Sequence, residues 1–159
     1  MIPTMDMIGE KFPKFSLQDQ SEKTWTQVDF TGQWTILYAY PKDMTSGCTI
    51  EAHDFTENLK AFQKAGAQVL GISPDDIKRH NKFCKKDGIS FPLLADIEKE
   101  LLGKLGIWIE KSMYEKKYMG VNRSTWIIDE SGKIAKEWRK VKVPGHVLAA
   151  LEELKDLIA

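Results

Sequence analysis

The stretch Trp34-Thr35-Ile36-Leu37-Tyr38-Ala39-Tyr40 is apolar on both of the faces a strand would present, and Pro41 ends it. A strand with no wet face has to be covered from two sides, which places it at the centre of a sheet between two further layers. Every other element of the chain has to supply those layers or flank that strand.

The remaining periodicities divide the work. Residues 15–18 and 25–28 alternate apolar and polar around a polar turn, the pattern of an N-terminal β-hairpin with one solvated face. From Cys48 onward, Cys48, Ala52, Phe55, Leu59 and Phe62 share one stripe at helical spacing, and Gly66 closes that helix. Residues 67–72 read as a short apolar strand. Ser73-Pro74-Asp75-Asp76 then offers a cap, a first-turn proline and two acids to a second helix running to about Gly88. Residues 91–95 read as a strand, 97–105 as a helix and 111–120 as a polar loop. Residues 124–129 and 133–141, joined by Glu130-Ser131-Gly132, form a second hairpin, and a last helix after Pro144 aligns Val147, Leu151, Leu154 and Ile158. Strands alternating with helices imply parallel crossovers, and a terminal hairpin adds antiparallel edges. The expected fold is α/β, a mixed central sheet with helices on both faces and an N-terminal β-hairpin, in one domain over 1–159.

Composition narrows the possible functions. The 159 residues carry 23 Lys plus Arg against 23 Asp plus Glu, a balance that gives no electrostatic footprint for nucleic acid or an anionic membrane. The longest apolar stretch, 36–40, is far short of a bilayer span, and residues 1–11 lack the basic and apolar regions of a signal peptide. Two cysteines are too few for a secreted disulfide scaffold, so both are expected reduced, in a cytoplasmic protein. Metal-binding spacings and a glycine-rich phosphate loop are absent, and His53, His80 and His146 are scattered; no metal or cofactor is expected.

Chemistry concentrates in Pro41-Lys42-Asp43-Met44-Thr45-Ser46-Gly47-Cys48, between the central strand and a helix start. At the carboxyl ends of such strands α/β folds place their sites. A cysteine in the first helical turn faces free backbone N–H groups and the positive end of the helix dipole, which favour a thiolate. Partial burial opposes that, so a second positive group is required, and Arg123 at the head of the strand 124–128 can supply it. Glu51, one turn into the helix, is expected to pair with Arg123 and orient it.

The run Tyr40-Pro41-Lys42-Asp43-Met44-Thr45-Ser46-Gly47-Cys48-Thr49-Ile50-Glu51-Ala52 resembles the active-site signature Pro-x-x-x-Thr-x-x-Cys of peroxiredoxins, in the bacterioferritin comigratory protein or PrxQ subgroup. Arg123-Ser124-Thr125-Trp126 is similar to that subgroup's Arg-Ser-Thr-Phe strand, with Trp for Phe, and Ser46 stands where a proline is frequent. Gly71-Ile72-Ser73 and Phe91-Pro92-Leu93-Leu94-Ala95-Asp96 extend the likeness over nearly the whole chain.

The resemblance implies a thioredoxin-like fold and a thiol peroxidase acting on hydrogen peroxide and organic hydroperoxides. Cys48 would attack one peroxide oxygen and become a sulfenic acid. Thr45, Arg123 and the N–H groups around Gly47 and Cys48 would hold both oxygens, at roughly 3 to 4 kcal/mol per preorganised donor. Pro41 would shape and shield the pocket. Many members of the subgroup carry the resolving cysteine five residues after the nucleophile, on the same helix, where this chain has His53. That position lies roughly 140° around the helix from Cys48 and faces water. Others carry it in the next helix, an arrangement Cys84 fits. Along an intact helix Cys84 would lie about 15 Å from the end where Cys48 sits, so the disulfide requires unwinding. The inner face of that helix offers Ile77, Phe83 and Cys84, interrupted by His80 and Asn81. Lys78, Arg79, Lys82, Lys85 and Lys86 are expected to favour a Cys84 thiolate and to offer an acidic partner a docking surface. Thioredoxin or glutaredoxin is the implied reductant and a monomer the expected state. A one-cysteine peroxidase served by an external thiol, or a redox-sensing binding module, stays open beside this reading.

Overall fold

The computed structural model describes residues 7–159; residues 1–6, the first part of the stretch read above for a signal peptide, lie outside the described residues. A five-stranded sheet runs in the order β5-β4-β3-β8-β9 and is built from Leu93–Ala95 (β5), Ala67–Ser73 (β4), Trp34–Ala39 (β3), Ser124–Ile128 (β8) and Ile134–Arg139 (β9). β3 pairs in parallel with β4 and antiparallel with β8, so the sheet is mixed and its doubly apolar strand is central.

Alternation along β3 divides the core between two layers. Ile36, Tyr38 and Tyr40 face a cluster with Cys48, Ala52, Phe55 and Phe62 of α1 (Ser46–Lys64), Phe83 and Cys84 of α2 (Ile77–Asp87) and Val147, Ala150, Leu151 and Leu154 of α4 (His146–Ile158). Leu37 and Ala39 face the other, with Leu101 and Leu102 of α3 (Glu100–Lys104) and the N-terminal aromatics Phe12, Phe15 and Phe30. Helices thus cover both faces. The N-terminal hairpin, β1 (Ser16–Gln18) and β2 (Thr24–Thr26), packs with the second layer through Trp25.

Trp126 is fully buried, and its additional indole N–H donates to Glu137 Oε1 at 2.9 Å, so the larger ring leaves no unpaired donor. At Gly71 a Cβ would stand 2.8 Å from Leu93 Cδ2 and 3.0 Å from Tyr38 Cζ. The glycine lets the Tyr38 ring lie flat across β4.

Three elements differ from the sequence expectation. Residues 111–120 are not a loop: β6 (Trp108–Met113) and β7 (Lys116–Val121) form an antiparallel hairpin. Its two-residue turn, Tyr114-Glu115, has φ of 50° and 66°, the left-handed pair a tight hairpin demands. Neither face of β6 or β7 is buried along its length, so no apolar alternation marks it. α2 starts at Ile77, capped by Asp76, whose Oδ1 accepts the Arg79 N–H at 2.8 Å; Ser73 ends β4 instead, and Pro74 precedes the helix. The helix expected over 97–105 is one short segment, because Lys99 is left-handed at φ 58° and Asp96 Oδ2 accepts the Leu102 N–H at 2.7 Å.

Tyr114 and Glu115 are poorly suited to positive φ. Replacing the pair by Asn-Gly is expected to raise stability by about 1 kcal/mol in urea unfolding and to slow amide exchange over 108–121. An unchanged or lowered midpoint contradicts this account of the turn.

Candidate active site

Cys48 is the third residue of α1 and 2% exposed, at the point where β3 hands over to the helix through the loop 41–47. Thr45 is the helix N-cap. Its carbonyl accepts the first helical bond from Thr49 N at 2.9 Å, while its hydroxyl donates to the Lys42 carbonyl at 2.8 Å. With its proton engaged, Thr45 Oγ1 offers the site an acceptor rather than the donor expected from sequence.

Arg123 reaches this point from the two-residue link between β7 and β8. Its backbone is fixed by the Val141 N–H, which donates to Arg123 O at 2.9 Å, and its neighbour Asn122 donates to the Ile107 carbonyl at 2.8 Å. The guanidinium then forks: Nη1 donates to Glu51 Oε1 at 2.5 Å and Nη2 to Cys48 Sγ at 3.2 Å. Gly47 lies beside the fork, with Nη2 3.5 Å from where its Cβ would stand.

Burial and pairing pull this group in opposite directions. Glu51 is fully buried, which drives its carboxyl up to about 7 although Arg123 pulls the other way, and its Oε2 has no hydrogen-bond partner. Burial works against the charge on Arg123, but Glu51 and Cys48 outweigh it and raise its pKa. His146, whose Nε2 lies 2.8 Å from Thr125 Oγ1, is lowered to about 4 by burial and then by Arg123. Lys111 on β6 is lowered by burial and by Arg123, with Cys48 opposing, so the unforeseen hairpin adds a cation to the surroundings of the site.

Pro41 is half-buried between β3 and the rest of the loop. Met44 follows at φ 63°, a left-handed backbone on a non-glycine residue inside the loop that delivers Thr45 and Cys48. Asp43 beside it is fully buried and bonded through every polar atom. Oδ1 accepts from the Tyr40 hydroxyl at 2.5 Å, Oδ2 meets His80 Nδ1 at 2.6 Å, its N–H donates to Asp75 Oδ2 at 2.8 Å and its carbonyl accepts Arg79 Nη2 at 3.2 Å. Asp43, Asp75 and His80 offer ligand atoms within 4.8 Å of one another, but these hydrogen bonds already engage them.

Two expectations for α2 need correction. His80 is not an interruption of the inner face but its most buried polar member, at 0% exposure. Its spacing with Phe83 and Cys84, i, i+3 and i+4, was the available signal. The Cys84 thiolate is not favoured: burial, then Asp43 and Asp19, push its pKa up to about 12, because Lys78, Lys82, Lys85 and Lys86 point to solvent while the sulfur points inward. His53 is exposed as expected, and its Nε2 meets Asp87 Oδ1 of α2 at 3.2 Å.

Comparison with known proteins matches residues 8–137 to the AhpC/TSA family. A peroxiredoxin Bcp of Bacillus subtilis is 44% identical over 150 residues, 94% of this chain and 96% of that protein. The solved peroxiredoxin Q of Xanthomonas campestris superposes with a TM-score of 0.88 at 39% identity, covering 98% of both chains. A structure of the bacterioferritin comigratory protein of the same organism, described for its alkyl peroxide reduction activity, gives 0.88 at 37% identity and 98% coverage of both.

The raised Glu51 carboxyl has a pH signature. A carboxyl that binds its proton more tightly folded than unfolded contributes stability below the unfolded pKa and loses it as pH rises through the folded value. Against a Glu51→Gln variant, the wild type is expected to lose relative stability, by up to about 3 kcal/mol, between pH 4.5 and about 7, with no further change above. Calorimetric Tm values across that range check it; parallel curves contradict it.

Proposed function

The chain belongs to the AhpC/TSA family, its Bcp and PrxQ peroxiredoxins being its near relatives, and on that premise we propose that Cys48 is the peroxidatic cysteine of a thiol peroxidase in which Arg123, Thr45 and Pro41 form the peroxide site. The observation that carries the assignment is the fork of Arg123, one guanidinium bonded to Cys48 Sγ and Glu51 Oε1 together.

Members of this group are thiol peroxidases: a peroxide is the substrate and a thiol reductant completes the cycle. In the first step the Cys48 thiolate attacks one oxygen, the O–O bond breaks in line, and water or an alcohol leaves after protonation, with Cys48 becoming a sulfenic acid. Arg123 steadies the sulfur before attack and the separating oxygens during it. The Thr45 oxygen accepts the peroxide O–H, since its own proton is held by Lys42. Backbone N–H groups at Gly47 and Cys48 complete the cradle, while Pro41 contributes no donor and keeps the mouth dry. Glu51 holds the guanidinium in plane.

In the second step Cys84 displaces the sulfenic hydroxyl, giving the Cys48–Cys84 disulfide and one water, and a dithiol then reduces that disulfide by exchange. Buried on a wound helix with its thiol pushed up to about 12, Cys84 is unreactive until α2 opens. Thioredoxin or glutaredoxin is the reductant we propose, acting on a monomer in the cytoplasm. Support for the monomer is that one chain supplies Cys48, Glu51 and Arg123 to a single site. The burial of Cys84 is also what favours the second reading, a one-cysteine peroxidase in which an external thiol resolves Cys48.

Mass analysis of alkylated thiols, before and after one equivalent of hydrogen peroxide, separates the two. The wild type is expected to lose both alkylation sites as an intramolecular disulfide. Cys48→Ser should consume peroxide at less than about a tenth of the wild-type rate, since an un-ionised hydroxyl is a poor nucleophile. Cys84→Ser should take up its first equivalent at the wild-type rate and stop at the sulfenic acid or its over-oxidised products. Full turnover by Cys48→Ser sinks the peroxidase assignment; full thioredoxin-coupled turnover by Cys84→Ser leaves the one-cysteine mechanism standing.

A further inference from the structure

Between the active-site loop and the helix that carries Cys84 lies a buried contact that the chemistry above does not use. His80 is fully enclosed, and both of its ring nitrogens face acceptors, Nδ1 toward Asp43 Oδ2 at 2.6 Å and Nε2 toward the Leu94 carbonyl at 3.0 Å. Asp43 and His80 are both fully buried, so the contact between them lies out of reach of water. Parting such a pair leaves at least one polar group buried and unsatisfied.

The two ends of this contact belong to different moving parts. Asp43 precedes Met44, whose φ of 63° is sustained because Asp43 is tied down on every side, by Tyr40 just after β3, Asp75 and Arg79 from the approach to α2 and its first turn, and His80. His80 sits one helical turn before Cys84, on the same inner face with Phe83. The side-chain contact between α1 and α2 at His53 and Asp87 is by contrast half exposed at its histidine and correspondingly weak. Unwinding α2 far enough to release Cys84 therefore draws His80 away from Asp43 and frees the strained loop at the same time.

We infer that His80 is a positioning residue for resolution: its contact with Asp43 clamps α2 to the active-site loop and sets how often Cys84 is released to meet oxidised Cys48. The inference rests on the reading of Cys84 as the resolving cysteine. A tight clamp keeps the loop in the geometry that reacts with peroxide but prolongs the life of the sulfenic acid, which a second peroxide converts to sulfinic acid with loss of water. A loose one favours the disulfide. His80 touches neither peroxide nor sulfur in this scheme; it acts through Asp43 and through the helix.

The readout is the ratio of sulfinic acid to disulfide after exposure to excess peroxide without reductant, measured by mass. This ratio depends only on events after the sulfenic acid has formed, so a slower first step does not move it. His80→Gln keeps a donor for the Leu94 carbonyl and gives up the pair with Asp43. It is expected to lower the ratio at least about fivefold, the change that roughly 1 kcal/mol of lost helix docking makes in the open population. Amide exchange over 77–87 should speed up in the reduced variant. Tyr40→Phe removes only the hydroxyl on Asp43 Oδ1 and should shift the ratio the same way by a smaller factor, which keeps the test open if the first variant folds poorly. Ile134→Val, in the opposite core layer, should lower global stability and leave the ratio alone. A ratio unchanged or raised in both His80→Gln and Tyr40→Phe, while the wild type forms its Cys48–Cys84 disulfide, overturns the clamp. A wild type that forms no such disulfide removes the resolving role beneath it.

Discussion

A guanidinium shared between a buried carboxylate and a sulfur is the interaction on which the rest of the molecule depends. Arg123 can bond Cys48 Sγ and Glu51 Oε1 together only if α1 and the β7–β8 link keep their spacing to within a few tenths of an ångström. Glu51 and Cys48 lie on one helical face at i and i+3, so a single helix fixes both acceptors. The sheet does the rest: β3 ends at the loop leading into α1, and β8, its antiparallel neighbour, begins one residue after Arg123. Taking Glu51 and Arg123 out of water is costly in itself, and a buried ion pair of this kind contributes more to geometry than to stability.

Packing supplies the rigidity that the fork requires. Tyr38 stacks on Phe55 with ring centroids 4.5 Å apart and on Tyr40 at 5.4 Å, joining the central strand to α1 and to the head of the active-site loop. Close approach at Gly71 lets β4 tolerate that large ring. On the far side the N-terminal aromatics and α3 close the other layer, so β3 has no face left to slip on. Within the active-site loop Met44 is held in its left-handed conformation beside Asp43, and the partners of Asp43 lead to α2. The site thus joins two parts, α1 with β8 through the Arg123 fork, and the loop with α2 through Asp43 and His80.

Much of this arrangement was legible in the residues themselves. A doubly apolar strand followed by a proline, a cysteine at a helix start, and an arginine at a strand head singled out residues that the structure brings together, because each follows from local pattern. The hairpin over Trp108–Met113 and Lys116–Val121 was not legible: both faces are largely solvated, and its turn uses Tyr114 and Glu115 where glycine or asparagine would have marked it. Cys84 was misjudged for a different reason. Its charge environment comes from Asp43 and Asp19, carried in from loops distant in sequence, whereas the lysines beside it in sequence point outward. His80 stood at the right helical spacing for the core, yet a histidine's partner is a tertiary fact, and Asp43 is 37 positions away.

Arg123, with one arm on Glu51 and the other on Cys48, is built as a two-armed bridge and not merely as a positive charge. Stopped-flow measurement of the second-order rate of Cys48 oxidation by hydrogen peroxide in Arg123→Lys tests it most directly, because lysine keeps the charge and cannot bond carboxylate and sulfur in a planar fork. The expected rate is at least about 100-fold below the wild type, the scale of losing one preorganised donor, with alkylation of Cys48 by iodoacetamide much less affected. A lysine variant that reacts with peroxide within about threefold of the wild type would contradict it, since loss of a donor needed in the transition state cannot cost so little.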